Sequence, residues 1–149
     1  MPEEINVRWG WLRFMYVYTI VGAGGFGLGI IVVPEVIKTA FGWPVEEPVV
    51  LGIVGSVYVA FGILSILGLR SPLRFVPVLL LQLCYKSIWL IGVILPMVIA
   101  GRFPRYAVFL VIIFATYIIG DLVAIPFSYI LAKQPGACNQ PLHRGGGNY

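Results

Sequence analysis

The chain has 149 residues, of which 60% are hydrophobic and only 11% are charged, and its mean hydropathy is +0.97. A water-soluble domain carries about 25% charged residues, so this chain has too few polar side chains to cover a globule in water. Its net charge of +4 comes from scattered residues rather than from a basic run, which argues against a nucleic-acid partner. The composition predicts one domain whose main partner is the lipid bilayer.

Cysteine and histidine, which often bind metals or carry redox chemistry, are scarce in this chain. Cys84 lies in an apolar segment, whereas Cys138 and the single histidine, His143, lie near the C-terminus. The two cysteines form no CxxC motif, which argues against a thiol–disulfide exchange enzyme. Because no histidine lies in an apolar segment, we expect no haem, zinc or iron site. A quinone or a lipid stays open as a cofactor.

Four long apolar segments, each sufficient to cross about 30 Å of hydrocarbon, are predicted to be transmembrane helices. They span residues 11–33, 48–70, 75–101 and 105–132. Prolines and glycines break any continuous helix in the first loop, and we expect residues 35–41 to form one short interfacial turn with Trp43 as an anchor. Residues 133–149 are expected to form a flexible tail. The predicted fold class is all-α, an integral membrane four-helix bundle in residues 1–132.

The middle of the first helix contains the run GAGGFGLG, from Gly22 to Gly29. Gly22, Gly24 and Gly27 match the dinucleotide-binding pattern GxGxxG, but that pattern requires a preceding β-strand, which a mid-membrane helix does not provide. Gly25 and Gly29 form a GxxxG motif, which is typical of close helix packing. We favour packing, with space for a ligand as the alternative. This glycine face is also the candidate surface for association with a second copy of the chain.

The second helix carries small residues at spacings of three, four and seven. They are Gly52, Gly55, Ser56, Gly62 and Ser65. Small residues allow two helix backbones to approach closely, so this face is predicted to contact the glycines of the first helix.

The third and fourth helices are each interrupted by one charge, Lys86 and Asp121. Lys86 precedes the centre of the intervening turn, near residue 103, by about 17 residues, and Asp121 follows it by about 18. In an antiparallel pair of helices the two charges would therefore lie at similar depth. A charge at mid-membrane costs about 2.5–3.5 kcal/mol, and a pair is tolerated more easily than either charge alone.

Helical spacing places Gln82 and Trp89 on the same face as Lys86, and Tyr117 on the same face as Asp121. Tyr85 directly precedes Lys86 in the sequence. Three interpretations stay open: a structural pair that fixes the register of two helices, a ligand or substrate site, and a proton or ion relay. Phe109 and Phe114 are interpreted as lipid-facing or packing residues.

Loop charges predict the orientation of the chain in the membrane. Six basic residues lie in the N-terminal segment, the second loop and the tail, against three in the first and third loops. Basic loops stay on the cytoplasmic side, so we predict an up-down-up-down bundle with both termini in the cytoplasm.

Two stretches of the first half carry a family resemblance. The run PEVIKTAFGWP, from Pro34 to Pro44, and the run LGIVGSVYVAFG, from Leu51 to Gly62, resemble the DoxX-like small bacterial membrane proteins. The resemblance lies in a glycine-rich first helix, a short interfacial loop and a second helix with spaced glycines. It implies a four-helix bundle in the bacterial inner (cell) membrane, and some such proteins are linked to quinone or redox chemistry.

The leading prediction is a non-enzymatic integral membrane protein that binds a lipid-like or quinone-like molecule, or serves as an accessory subunit of a larger membrane complex. Its site would comprise Lys86, Asp121, Gln82, Tyr85, Trp89 and Tyr117. Lys86 would meet an anionic or carbonyl group, Asp121 would hold Lys86 charged, and the aromatic residues would line an apolar pocket. The alternative is an oligomeric transporter for a small charged or amphipathic solute. An enzyme ranks third, because acid–base chemistry would depend on Lys86 and Asp121 alone.

Overall fold

The computed structural model describes residues 7–44 and 47–131. These residues are all-helical, with no β-strand among them, and four helices are long and apolar enough to cross a membrane. These four spanning helices are α1 (Trp9–Val32), α3 (Pro48–Arg70), α4 (Val76–Ile99) and α5 (Ala107–Ala124). Two short helices, α2 (Pro34–Phe41) and α6 (Phe127–Leu131), follow α1 and α5. The predicted all-α class with four helices long and apolar enough to cross a membrane is confirmed, and the predicted tail lies outside the described residues.

The short turn predicted at residues 35–41 is a helix of eight residues in the structure. This helix, α2, begins with Pro34 in its first turn, where a missing backbone N–H costs nothing. The helix ends at Gly42, whose φ of +61° is the left-handed conformation that glycine adopts most readily. The Trp43 N–H then donates to the Lys38 carbonyl at 2.9 Å. The loop therefore folds back as a short helix whose last residue, Phe41, reaches Phe26 of α1.

The fourth spanning helix is shorter than the predicted segment 105–132. It ends at Ala124, because Ile125 adopts an extended conformation with φ −72° and ψ 120°. The residue before a proline is disfavoured in the helical region, and Pro126 also lacks the N–H that would continue the helix. The chain resumes as α6 only after this break.

Both α1 and α4 contain one turn of π-helix. In α4 the turn covers Leu90–Ile94 and immediately precedes the segment that contains Pro96. Proline removes one backbone hydrogen bond and crowds the carbonyl four residues earlier, and a π-turn accommodates both effects. In α1 the turn covers Ile20–Gly24, within the glycine-rich run.

Helices α1 and α3 approach closely through glycine, as predicted. A Cβ atom placed on Gly62 would lie 2.8 Å from the Cα of Gly24. A Cβ atom on Gly27 would lie 2.7 Å from the carbonyl oxygen of Gly55. Real Cβ atoms do not approach backbone so closely, so both contacts require the absence of a side chain.

The glycines that make this contact differ from the predicted GxxxG pair. A Cβ atom on Gly25 would meet no neighbouring atom within 4 Å, and Gly29 faces Ile37 of α2 instead of α3. The prediction of packing through Gly25 and Gly29 is therefore wrong for the contact with α3. The contact uses Gly24 and Gly27, which occupy a different angular position on the helix.

One cluster of buried residues joins α1, α4 and α5, and its α1 members precede the glycine contact along that helix. It contains Leu12, Met15 and Tyr16 of α1, Val76 and Leu79 of α4, and Tyr117 and Ala124 of α5. The Tyr16 ring packs against Gly68 of α3, and its hydroxyl donates to the Pro72 carbonyl at 2.7 Å. This packing fixes the faces of α4 and α5 that carry the charged residues.

Candidate functional site

Each spanning helix contributes at least one fully buried polar side chain to the interior. These residues are Thr19 of α1, Ser65 of α3, Gln82 and Lys86 of α4, and Asp121 of α5, and none is more than 1% exposed. Burying a polar group without a hydrogen bond is costly, so the partners of each residue indicate its role.

A chain of side-chain hydrogen bonds connects α1 with Lys86. The ammonium Nζ of Lys86 donates to Oε1 of Gln82 at 2.6 Å, across one turn of α4. The Nε2 of Gln82 in turn donates to Oγ1 of Thr19 at 3.1 Å. Gln82 therefore uses both ends of its amide, and a bond from an ammonium to its oxygen is stronger than a neutral one.

Three aromatic rings surround the Lys86 ammonium. Its Nζ lies 3.9 Å from the ring centre of Tyr117, 4.9 Å from that of Tyr85 and 5.7 Å from that of Phe114. A cation within about 6 Å of a ring face is attracted by the electrons of that face, by about 2 kcal/mol when water is excluded. Phe114 and Tyr117 are three residues apart on α5, so both rings point at the same face of α4.

Asp121 is fully buried, yet neither of its carboxylate oxygens has a hydrogen-bond partner within residues 7–44 and 47–131. No oxygen of Asp121 lies within 4.0 Å of Lys86 Nζ, and the ion pair found in the described part of the chain joins Lys38 to Glu35 at 2.8 Å. The expected direct pair of Lys86 and Asp121 is therefore absent. The reason is that the ammonium is turned towards Gln82 and the Tyr117 ring, one helical turn before Asp121.

A cavity of about 340 Å³ lies against Lys86. All four spanning helices and α2 line it, and its walls are largely aromatic, with four tyrosines: Tyr18, Tyr58, Tyr85 and Tyr117. Of the described residues that line it, Lys86 alone carries a charge. Phe109, which is 49% exposed, lies on its rim, so the cavity communicates with the outer surface of the helices.

A second cavity of about 330 Å³ adjoins the first and shares five lining residues with it. These shared residues, which we call the aromatic wall, are Phe26, Tyr58, Tyr85, Leu110 and Phe114. Trp89, which we predicted to lie beside Lys86, lines this second cavity and packs edge-on against Phe114 at 4.9 Å.

The structure thus brings together Lys86, Gln82, Tyr85 and Tyr117 of the six predicted site residues. Asp121 lies in the same interior without contacting Lys86, and Trp89 lies behind the aromatic wall.

Three residues at the site were not predicted from the sequence. Phe114, for which the sequence favoured a lipid-facing or packing role, is only 8% exposed and lies three residues before Tyr117 on the same stripe. Tyr58 follows the small-residue stripe of α3, three residues after Gly55. Thr19 shows no periodic signal, and only its bond to Gln82 identifies it.

We expect the ring of Tyr117 to contribute more to the stability of the protein than its hydroxyl does. Tyr117→Phe loses the hydrogen bond that the hydroxyl donates to the Tyr18 carbonyl at 3.0 Å, which costs about 1 kcal/mol of unfolding free energy. Tyr117→Leu also loses the ring beneath Lys86 and should cost at least about 2 kcal/mol more. Denaturant titration of both variants in detergent measures the difference. Equal stability of the two variants would contradict a cation–π contact.

Comparisons with known proteins add no assignment to this geometry. No family model matches the sequence, and no significant match was found among curated proteins or solved structures.

Proposed function

We propose that the chain is a multi-pass protein of the bacterial inner membrane that binds an amphipathic molecule, lipid-like or quinone-like, in the cavity beside Lys86. The bundle would run up-down-up-down with both termini in the cytoplasm. Contacts between α1 and α3 support this topology, because Tyr16 meets Gly68 whereas Gly27 meets Gly55, so that residue numbers rise on one helix as they fall on the other. The loop charges and the DoxX-like resemblance support the location.

The observation that carries the proposal is a buried cation in the wall of an otherwise apolar cavity. Lys86 is 1% exposed, and its ammonium has three donors, of which one reaches Gln82. The described residues provide no acceptor for the other two. Keeping such a cation inside the protein is costly unless a partner completes its hydrogen bonds.

The surroundings of Lys86 define the chemistry of that partner. It needs an oxygen acceptor at one end, such as a carboxylate or a quinone carbonyl, to meet the ammonium. It also needs an apolar body, because aromatic and aliphatic side chains form the remaining walls. Cavities of about 300–1,000 Å³ bind small organic ligands, and this one is at the lower end of that range.

A photoreactive ligand tests this proposal. We expect a long-chain fatty acid with a diazirine group to label the wild-type protein in bilayer nanodiscs, and Lys86→Met to reduce labelling at least about tenfold, since a charge-assisted hydrogen bond is lost. Lys38→Met is the matched control, because Lys38 lies on α2 and pairs with Glu35 outside this cavity. Equal labelling of the wild type and Lys86→Met would refute the proposal.

Native mass spectrometry in mild detergent separates the chemical classes of ligand. A co-purified acidic lipid or a quinone would identify the occupant, and a retained partner protein would favour an accessory subunit. Loss of the adduct in Lys86→Met, with retention in Lys38→Met, would connect the adduct to this cavity.

The two cavities on either side of one aromatic wall favour a transporter as the second candidate function. In that case the aromatic wall, which includes Tyr58, Tyr85 and Phe114, would separate two binding cavities on the path of the solute through the bundle. Solute flux in proteoliposomes would support transport, and association of two copies would be expected. Gly25 is open for such a contact, whereas Gly24 and Gly27 are covered by α3 of the same chain.

A further inference from the structure

Asp121 is a buried acid that the proposed binding site does not use. The chain has six acidic residues, and Asp121 is the one that lies within a spanning helix. Its side chain is fully buried, and both carboxylate oxygens are without a hydrogen-bond donor in the described ranges. A carboxylate that only had to stabilise Lys86 would gain most by contacting it, and Asp121 does not.

The groups that surround Asp121 leave Lys86 as its only charged neighbour in the described interior. The titratable side chains that interact electrostatically with it are Lys86 and Tyr85 on α4, Tyr16 on α1 and Tyr117 on its own helix, while α3 contributes Tyr58 to the wall of the cavity beside Lys86. The hydroxyls of Tyr16 and Tyr117 already donate to backbone carbonyls. The tyrosines are neutral, so the charge of this interior depends on Lys86 and Asp121.

Without a bound ligand, the charges of Lys86 and Asp121 should sum to zero, because surroundings of low dielectric constant penalise an uncompensated charge. Lys86 is the cation that donates to Gln82 and lies against three aromatic rings, so a neutral interior holds Asp121 as a carboxylate. An anion bound to Lys86 adds one negative charge. Neutrality is then restored by one proton taken from water.

We propose that Asp121 couples the binding of an acidic amphiphile at Lys86 to the uptake of one proton. The new proton forms an O–H bond on the Asp121 carboxylate. The bound state then holds a cationic Lys86, the bound anion and a protonated Asp121, so the protein takes up the amphiphile together with one proton. This inference rests on the binding function proposed above.

The test uses dodecyl sulfonate, whose head group stays ionised, so that any proton taken up belongs to the protein. Binding to the full-length protein in nanodiscs is measured between about pH 6 and pH 8. For the wild type we expect the affinity to fall about tenfold per pH unit, as the uptake of one proton requires. The heat of binding, measured in two buffers with different ionisation enthalpies, should also report about one proton.

Two substitutions of Asp121 assign the proton. Asp121→Asn preserves the shape of the side chain but cannot titrate, so its affinity should be independent of pH. Asp121→Glu keeps a carboxyl group and should retain the pH dependence. If Asp121→Asn does not fold, the heat measured on the wild-type protein still decides whether one proton is taken up.

The outcomes distinguish this inference from the proposed function. Wild-type binding without proton uptake would overturn the coupling and leave the binding site intact. Unchanged pH dependence in Asp121→Asn would overturn the role of Asp121. No binding of the sulfonate to the wild type, together with no fatty-acid labelling, would overturn both proposals.

Discussion

Gly27→Ala is expected to destabilise the protein by about 1–3 kcal/mol, although it adds a single methyl group. The new Cβ would lie 2.7 Å from the Gly55 carbonyl oxygen, 2.7 Å from the Tyr58 Cβ and 2.8 Å from the Val59 backbone nitrogen. Two of these atoms belong to backbone and the third is fixed to it, so no side-chain rotation relieves the contact. Helices α1 and α3 would have to separate, and the packing along their interface would be lost.

The matched control is Gly25→Ala, two residues earlier on the same helix. A Cβ at Gly25 meets no atom within 4 Å, and alanine favours a helix more than glycine does. We expect this variant to be as stable as the wild type or slightly more so. Unfolding in a denaturing detergent, followed by circular dichroism, measures both variants. A Gly27→Ala protein that unfolds like Gly25→Ala would contradict the close contact with α3.

Gln82→Leu is expected to cost about 1.5–3 kcal/mol of unfolding free energy, because it removes the hydrogen bond from a buried ammonium. Leucine has a similar size, so the loss reports mainly on polarity. The substitution leaves Lys86 without its acceptor and Thr19 without its partner, and both residues stay buried. Reorientation of Lys86 should also weaken labelling by the photoreactive fatty acid.

Two further variants are expected to lose less stability than Gln82→Leu. Thr19→Val removes the far end of the same chain, a bond between neutral groups, and should cost only about 1 kcal/mol. Gln82→Glu retains an oxygen acceptor for Lys86 and should recover part of the loss. Chemical denaturation of the three variants measures their unfolding free energies and therefore ranks the three losses. A Gln82→Leu protein that is no less stable than Thr19→Val would show that Lys86 does not depend on Gln82.

The helical segments were predictable because they depend on local properties of the sequence. Length and hydropathy identify the four spanning helices, and prolines mark where two of them begin. The proximity of Gln82 to Lys86 was also predictable, since residues four apart share one face of a helix. The end of α5 at Ala124 was missed because the predicted segment ran through Pro126 to residue 132, whereas the helix ends before this proline.

Rotation about the helix axes was not predictable from the sequence. Equal depth placed Lys86 and Asp121 at one level, but depth does not determine which way each side chain points. In α1 the π-turn Ile20–Gly24 adds a residue, which rotates the remainder of that helix by about 100° relative to a regular one. Gly24 and Gly27 meet α3, whereas Gly25 and Gly29 do not. The DoxX-like resemblance, which rests on the same glycines and loop, stays a prediction.

The close contact between α1 and α3 also has a consequence for recognising distant relatives. Backbone atoms less than 3.0 Å away exclude a side chain at Gly27 of α1 and at Gly62 of α3, and a Cβ at Gly24 or Gly55 would lie 3.2 Å from the backbone opposite. Gly25 is under no such restriction. A relative that keeps this fold is expected to keep glycine at positions 27 and 62, with small residues three positions before the first and seven before the second, even after the rest of its apolar sequence has diverged. These paired spacings form a search pattern that depends on geometry rather than on overall similarity.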